Sequence, residues 1–223
     1  MRGEGEVDRP AEIGRATRWS AWFFMIGSAC FAVASIPALA TVVPSSAIGL
    51  TYFTGSIFFT LAAGIVTVNV FDDDHAAASG GPFGDVNWWA AAIQSVGTLW
   101  FNINTFYALS DAWTTQQENL RVWTPDMLGS ICFLVSSYLS WVALGPRPRL
   151  TARRDTPWWI AALNLIGSVC FGLAAIAAFT LPATDDLLDA SIANSGTLLG
   201  ALCFFWGARL MLLPPVPEPV RRG

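Results

Sequence analysis

The residues of this chain with the most to offer chemically sit one helical turn apart inside a stretch that is otherwise apolar. Gln94, Thr98, Asn102 and Thr105 are spaced 4, 4 and 3 residues apart and so share a helix face. Asn104, Tyr107 and Asp111 form a second polar stripe. Ser136, Ser137, Tyr138 and Ser140, in the next apolar run, are placed to face them across a hairpin. Amides and hydroxyls at membrane depth are costly, so they turn to the interior of a bundle or to a wet cavity. Two arrangements fit: a hydrogen-bond network between helices, worth about 0.6 kcal/mol per contact, or a polar pathway for a small solute.

Asp72, Asp73, Asp74 and His75 form a second cluster, and carboxylates with an imidazole suit a divalent cation. Four consecutive side chains converge on one ion only in a tight loop, with further ligands returning from elsewhere in the fold. The expectation is therefore a solvated loop and no metal site. His75 is the sole histidine, which excludes bis-histidine haem ligation within one chain. All 12 basic residues are arginine, so no lysine is available for Schiff-base chemistry. Cys30, Cys132, Cys170 and Cys203 each precede a phenylalanine inside an apolar run, and no CxxC occurs. They read as small buried hydrophobes. No catalytic residues, cofactor or nucleic-acid partner are implied, and no glycine-rich phosphate loop is present.

The elements that position these residues are membrane elements. Of 223 residues, 54% are hydrophobic and 13% charged, against about 25% charged in a soluble domain; the mean hydropathy is +0.50. Six apolar runs, roughly 19–43, 48–70, 88–110, 125–144, 158–181 and 190–213, are each long enough to cross about 30 Å of hydrocarbon. Backbone in lipid must satisfy its own hydrogen bonds, and period-two alternation is absent, so the runs predict helices and an all-α transmembrane fold. The first run is too long for a cleaved signal peptide and has no evident cleavage site.

The runs repeat. Trp19–Phe31 reads WSAWFFMIGSACF, Trp89–Phe101 WAAAIQSVGTLWF and Trp159–Phe171 WIAALNLIGSVCF, at a constant interval of 70 residues. The intervening runs carry a second version: GSIFF at Gly55–Phe59, GSICF at Gly129–Phe133 and GALCF at Gly200–Phe204. A fixed period of this kind predicts three tandem hairpins, about 19–70, 88–144 and 158–213, flanked by polar tails at 1–18 and 214–223. Two crossings per unit make the repeats parallel. Gly27, Gly97 and Gly167 should then occupy equivalent places about a pseudo-threefold axis, each followed four residues later by Phe. Gly55 and Gly129 belong to the same helix-packing set, as does the stripe Gly196, Gly200, Cys203 and Gly207 on the last helix. Ser56, Thr60, Gly64 and Thr67 make a similar stripe on the second. Small residues let helix backbones approach, which lipid alone does not drive.

Arginine placement orients the chain. With the N-terminus inside, eleven arginines fall on inner segments and only Arg121 lies outside. Trp88, Trp89, Trp158 and Trp159 then sit at the inner interface, where amphipathic rings anchor helix ends.

The stretch Leu165–Leu213, with LIGSVCF, the acidic loop DDLLD and SGTLLGALCFFWGARLMLLPP, resembles the YrhK-like domain of bacterial membrane proteins. The resemblance covers about 50 residues and implies a two-helix membrane fold and no established chemistry; the arginine placement adds both termini cytoplasmic, in the bacterial inner membrane. Weaker versions cover the other two hairpins. Two functional classes follow. The first is a non-enzymatic structural or interaction protein in the lipid bilayer, its glycine faces meeting a second copy or a partner membrane protein. The alternative is a small-solute channel or transporter using the polar face of the third helix. An enzyme is not expected. A continuous wet cavity at Gln94 and Asn102 would favour the second class, and a dry bundle the first.

Overall fold

A computed structural model describes residues 13–71, 84–110, 112–145 and 156–214; the Asp72–His75 cluster and Asp111 lie outside them. The described chain is all-helical: α1 (Arg15–Ala34), α2 (Ser45–Phe71), α3 (Val86–Tyr107), α4 (Thr115–Ala143), α5 (Thr156–Ala177) and α6 (Ala190–Leu210). Local sequence sets several of their ends. The Asp85 carboxylate accepts from the Asn87 amide, Thr114 and Gln117 form a reciprocal capping box, and the Asp189 carboxylate accepts from the Ile192 amide. α1 stops at Ala34, well short of residue 43. Pro37 and a short 3-10 turn at Leu39–Thr41 occupy the expected last turns, and proline cannot continue a helix.

α4 departs further from expectation. It starts at Thr115, ten residues before the apolar run, and holds a π-helical stretch at Asn119–Trp123. Pro125 is the cause: it has no N–H to give to a carbonyl one turn back, and its ring needs room there. The widened turn supplies that room, and the Thr124 hydroxyl donates to the Asn119 carbonyl at 2.8 Å.

α2, α4 and α5 are long and apolar enough to cross a membrane by length and composition. α1, α3 and α6 have 20, 22 and 21 residues, and their apolar character is diluted by Arg15 and Arg18, by Gln94, Asn102 and Asn104, and by Asn194 and Arg209. Large apolar side chains nevertheless lie exposed on every helix, among them Trp22, Leu61, Leu99, Leu134, Leu173 and Leu199. The interior is the reverse, built from Gly, Ala, Ser and Phe. Each helix packs on two others in the order α1, α2, α3, α4, α5, α6 and back to α1. The turns 35–44 and 178–189 and the described residues 108–110 and 112–114 share one end, called here the hairpin end.

Glycines allow the close pairs. A Cβ on Gly27 would lie 2.9 Å from the Gly55 carbonyl oxygen, one on Gly129 3.1 Å from that of Gly97, and one on Gly167 3.0 Å from that of Gly200. Beside each contact two phenylalanines enter the centre: Phe31 and Phe59, Phe101 and Phe133, Phe171 and Phe204. Phe31, Phe101 and Phe171 form one triangle of rings with centroids 6.3, 6.1 and 6.0 Å apart. Phe59, Phe133 and Phe204 form a second, at 6.1, 6.1 and 5.5 Å. The two triangles touch, and all six rings are at most 6% exposed. Together they fill the axis.

Candidate functional site

The polar residues of α3 do not act as one face. At 3.6 residues per turn, positions eight apart are rotated by about 80°, enough to send Gln94 and Asn102 to different neighbours. Gln94 turns to α4, where the Ser136 hydroxyl lies 3.4 Å from its Oε1 and donates to the Ala90 carbonyl at 2.7 Å. Asn102 turns to α2, donating its Nδ2 to Thr60 Oγ1 at 2.9 Å, while its Oδ1 is buried with no partner. Thr105 also meets α2, its hydroxyl 2.9 Å from that of Ser56, and Thr67 and Ser95 pair at 2.8 Å along the same seam. Thr98 is fully buried and donates to the Ser95 carbonyl of its own helix. The serines of α4 divide likewise. Ser137 faces α5, paired with Ser168 at 2.8 Å, and Tyr138 is exposed.

The glycines lie along helix seams. Gly196 approaches the Cys170 carbonyl and Ala174, Gly200 approaches Phe171, and Gly207 approaches Asn164, all on α5; Gly64 faces open space. The four cysteines are free and partly buried. Among the described residues no group of three His, Cys, Asp or Glu is placed to hold a metal ion.

Two cavities flank the aromatic plug. One, of about 370 Å³, is lined by Asn87, Gln94, Ser140, Asn164 and apolar side chains including Phe24 and Phe204, at the end opposite the hairpin turns. The other, of about 250 Å³, opens at the hairpin end. Phe204 borders the first and Phe31 the second, so the plug lies between them.

The hairpin-end cavity contains what sequence reasoning missed: Asp126. With α4 beginning at Thr115, Asp126 lies eleven residues into the helix, about 16 Å along its axis. Its carboxylate accepts from Asn104 Nδ2 at 2.8 Å, and among the described residues no basic side chain pairs with it. Glu118, Tyr52, Trp123, Asn194 and Thr180 share the lining. The walls are pinned by contacts between helices: the Tyr52 hydroxyl to Ser35 at 2.8 Å, Trp123 Nε1 to the Ala175 carbonyl at 2.8 Å, and the Asn119 amide to both the N–H and carbonyl of Thr180. Arg121, the one basic residue expected on this side, is engaged elsewhere. Its guanidinium stacks over Trp113 at 4.4 Å and Tyr107 at 5.5 Å. The available signal for Asp126 was an acid next to proline at the edge of an apolar run, which reads as a helix start unless the capping box at Thr114 is recognised.

The fold and site together define an all-helical protein with three helices fit to cross a membrane, apolar side chains turned outward, and polar groups used between helices. Neither family models, nor curated proteins, nor solved structures give a match to this chain.

Proposed function

We propose that the chain is a bacterial inner-membrane protein of six spans, built from three tandem hairpins related to the YrhK-like domain, and that it acts without catalysis as a structural or interaction protein. The observation that carries this reading is the sealed axis. Six phenyl rings occupy the axis of the ring of helices, where a central route would run. The polar residues of α3 support the same reading, because Asn102, Thr105 and Ser95 bond to α2 and Gln94 and Asn104 to α4. Exposed apolar side chains on α1, α3 and α6 support spans for those helices too, since surface of that extent is covered by lipid or a partner. The arginine asymmetry favours cytoplasmic termini, with the hairpin end outside.

The test uses protein reconstituted into liposomes. Urea and glycerol permeation, followed by osmotic swelling, should equal that of empty vesicles. In cells, a single cysteine at Gln117 in a cysteine-free background should react with an impermeant maleimide, and one at Ser79 should not. Protein-dependent permeation would favour the channel alternative, and inverted labelling would overturn the topology.

A further inference from the structure

The hairpin-end cavity has features that a packing defect does not require. We propose that it binds a small organic ammonium ion, with the Asp126 carboxylate as counter-ion and the rings of Trp123, Tyr52 and Phe31 as walls. This goes beyond the structural reading above and does not depend on the number of spans.

Charge selects the ligand class. Asp126 and Glu118 both line the cavity, and among the described residues no basic one does, while Arg121 is held over Trp113 and Tyr107. A carboxylate has about four acceptor positions, and Asp126 uses one, for Asn104. A carboxylate in an aromatic-walled cavity is ordinarily paired, and among the described residues no basic side chain pairs with this one. A second observation is independent of the acids. Thr180 lines the same cavity and is only 3% exposed, yet its hydroxyl makes no hydrogen bond to another described residue. The hydroxyl is a polar group on the cavity wall, reached from the cavity and open to a ligand.

Shape and wall chemistry narrow the class. A volume of about 250 Å³ lies just below the usual range of about 300–1,000 Å³ for ligand pockets, so the occupant is small. Aromatic faces attract organic cations, whereas a divalent metal needs a shell of oxygens, and no metal-holding group occurs among the described residues. An amino acid zwitterion is disfavoured because no basic side chain among the described lining residues would pair with its carboxylate. The site is also preorganised: Tyr52, Trp123 and Thr180 are each tethered to a different helix or loop, so binding loses little side-chain freedom.

The probe is n-butylammonium chloride, titrated into the protein in uncharged detergent at constant ionic strength and read by calorimetry and thermal melting. Saturable heat and a rising Tm are expected, while 1-butanol and sodium chloride should give neither. Asp126→Asn should weaken butylammonium at least tenfold. Should that variant fail to fold, Glu118→Gln, nearer the rim, should weaken it several-fold. Equal responses to butylammonium and butanol, a response that does not saturate, or unchanged affinity in whichever variant folds would each overturn the proposal. A protein that binds butylammonium yet leaks urea would leave the site standing and sink the sealed-axis reading, so the two are judged separately.

Discussion

Replacing Phe133 by alanine tests whether the plug is as tight as its distances imply. The Phe133 ring is 1% exposed and meets Phe101 at 5.0 Å, Phe204 at 5.5 Å and Phe59 at 6.1 Å, each edge-on, with Phe171 tilted at 6.4 Å. In lipid the transfer contribution that dominates soluble cores largely vanishes, because the acyl chains are as apolar as the side chain. The cavity remains: about 100 Å³ at about 24 cal/mol per Å³ costs about 2.4 kcal/mol. Three edge-on pairs, at about 0.5 kcal/mol each, bring the loss to about 4 kcal/mol. The control is Leu134→Ala, one residue along but 39% exposed, which should change stability by less than about 1 kcal/mol because lipid replaces the lost contacts. Reversible unfolding in mixed micelles with increasing dodecyl sulfate gives both values. A Phe133→Ala loss no larger than that of Leu134→Ala would refute the claim that six rings interlock on the axis.

Two further outcomes follow from contacts. Gly97→Leu should prevent α3 and α4 from pairing, since even a Cβ there would lie 2.8 Å from Cys132 Cβ and Phe133 Cδ1; Gly172→Ala, with nothing within 4 Å, should be neutral or gain up to about 1 kcal/mol from helix propensity, and melting temperatures of the two variants check the contrast. Asn102→Leu deletes one hydrogen bond to Thr60, worth about 0.6 kcal/mol, together with a buried orphan acceptor whose desolvation costs about 1–3 kcal/mol, so its Tm should equal or exceed that of the native protein, and a fall of several degrees would show that the amide is needed.

The helical character and the pairing of each glycine with a phenylalanine on one helix face were legible because period and spacing encode them; that the rings meet at the centre was not. Phe four residues after Gly recurs in every apolar run, and a helix brings those two positions onto one face. Chain ends of helices were less legible. Pro37 shortened α1, and the capping box at Thr114 lengthened α4 in a segment too polar to read as part of an apolar run. That second difference hid Asp126, which looked like a first-turn acid and instead lines a cavity. The division of α3 between two partners was also hidden, since a polar stripe read at spacings of 4, 4 and 3 drifts around the helix by a known angle but the positions of neighbours are set by the whole ring. Asn119, which holds the α5–α6 turn through Thr180, carries no sequence signal at all, because its partner is backbone.

The closed order of the helices has a consequence for biosynthesis. The contact that completes the circle joins α1 to α6, which of the six described helices are made earliest and latest. Until α6 emerges, the flank of α1 that bears Phe31 has α2 on one side and nothing on the other, and the second triangle of rings lacks Phe204. A chain cut short anywhere before residue 204 therefore leaves a gap in its own middle, which no amount of local helix formation repairs. Joining such distant segments adds little entropy beyond that of a shorter loop, since the cost rises only with the logarithm of length. What it adds is a waiting period, during which the unfinished seam is open to lipid, to quality-control proteases or to a second nascent copy supplying its own α6.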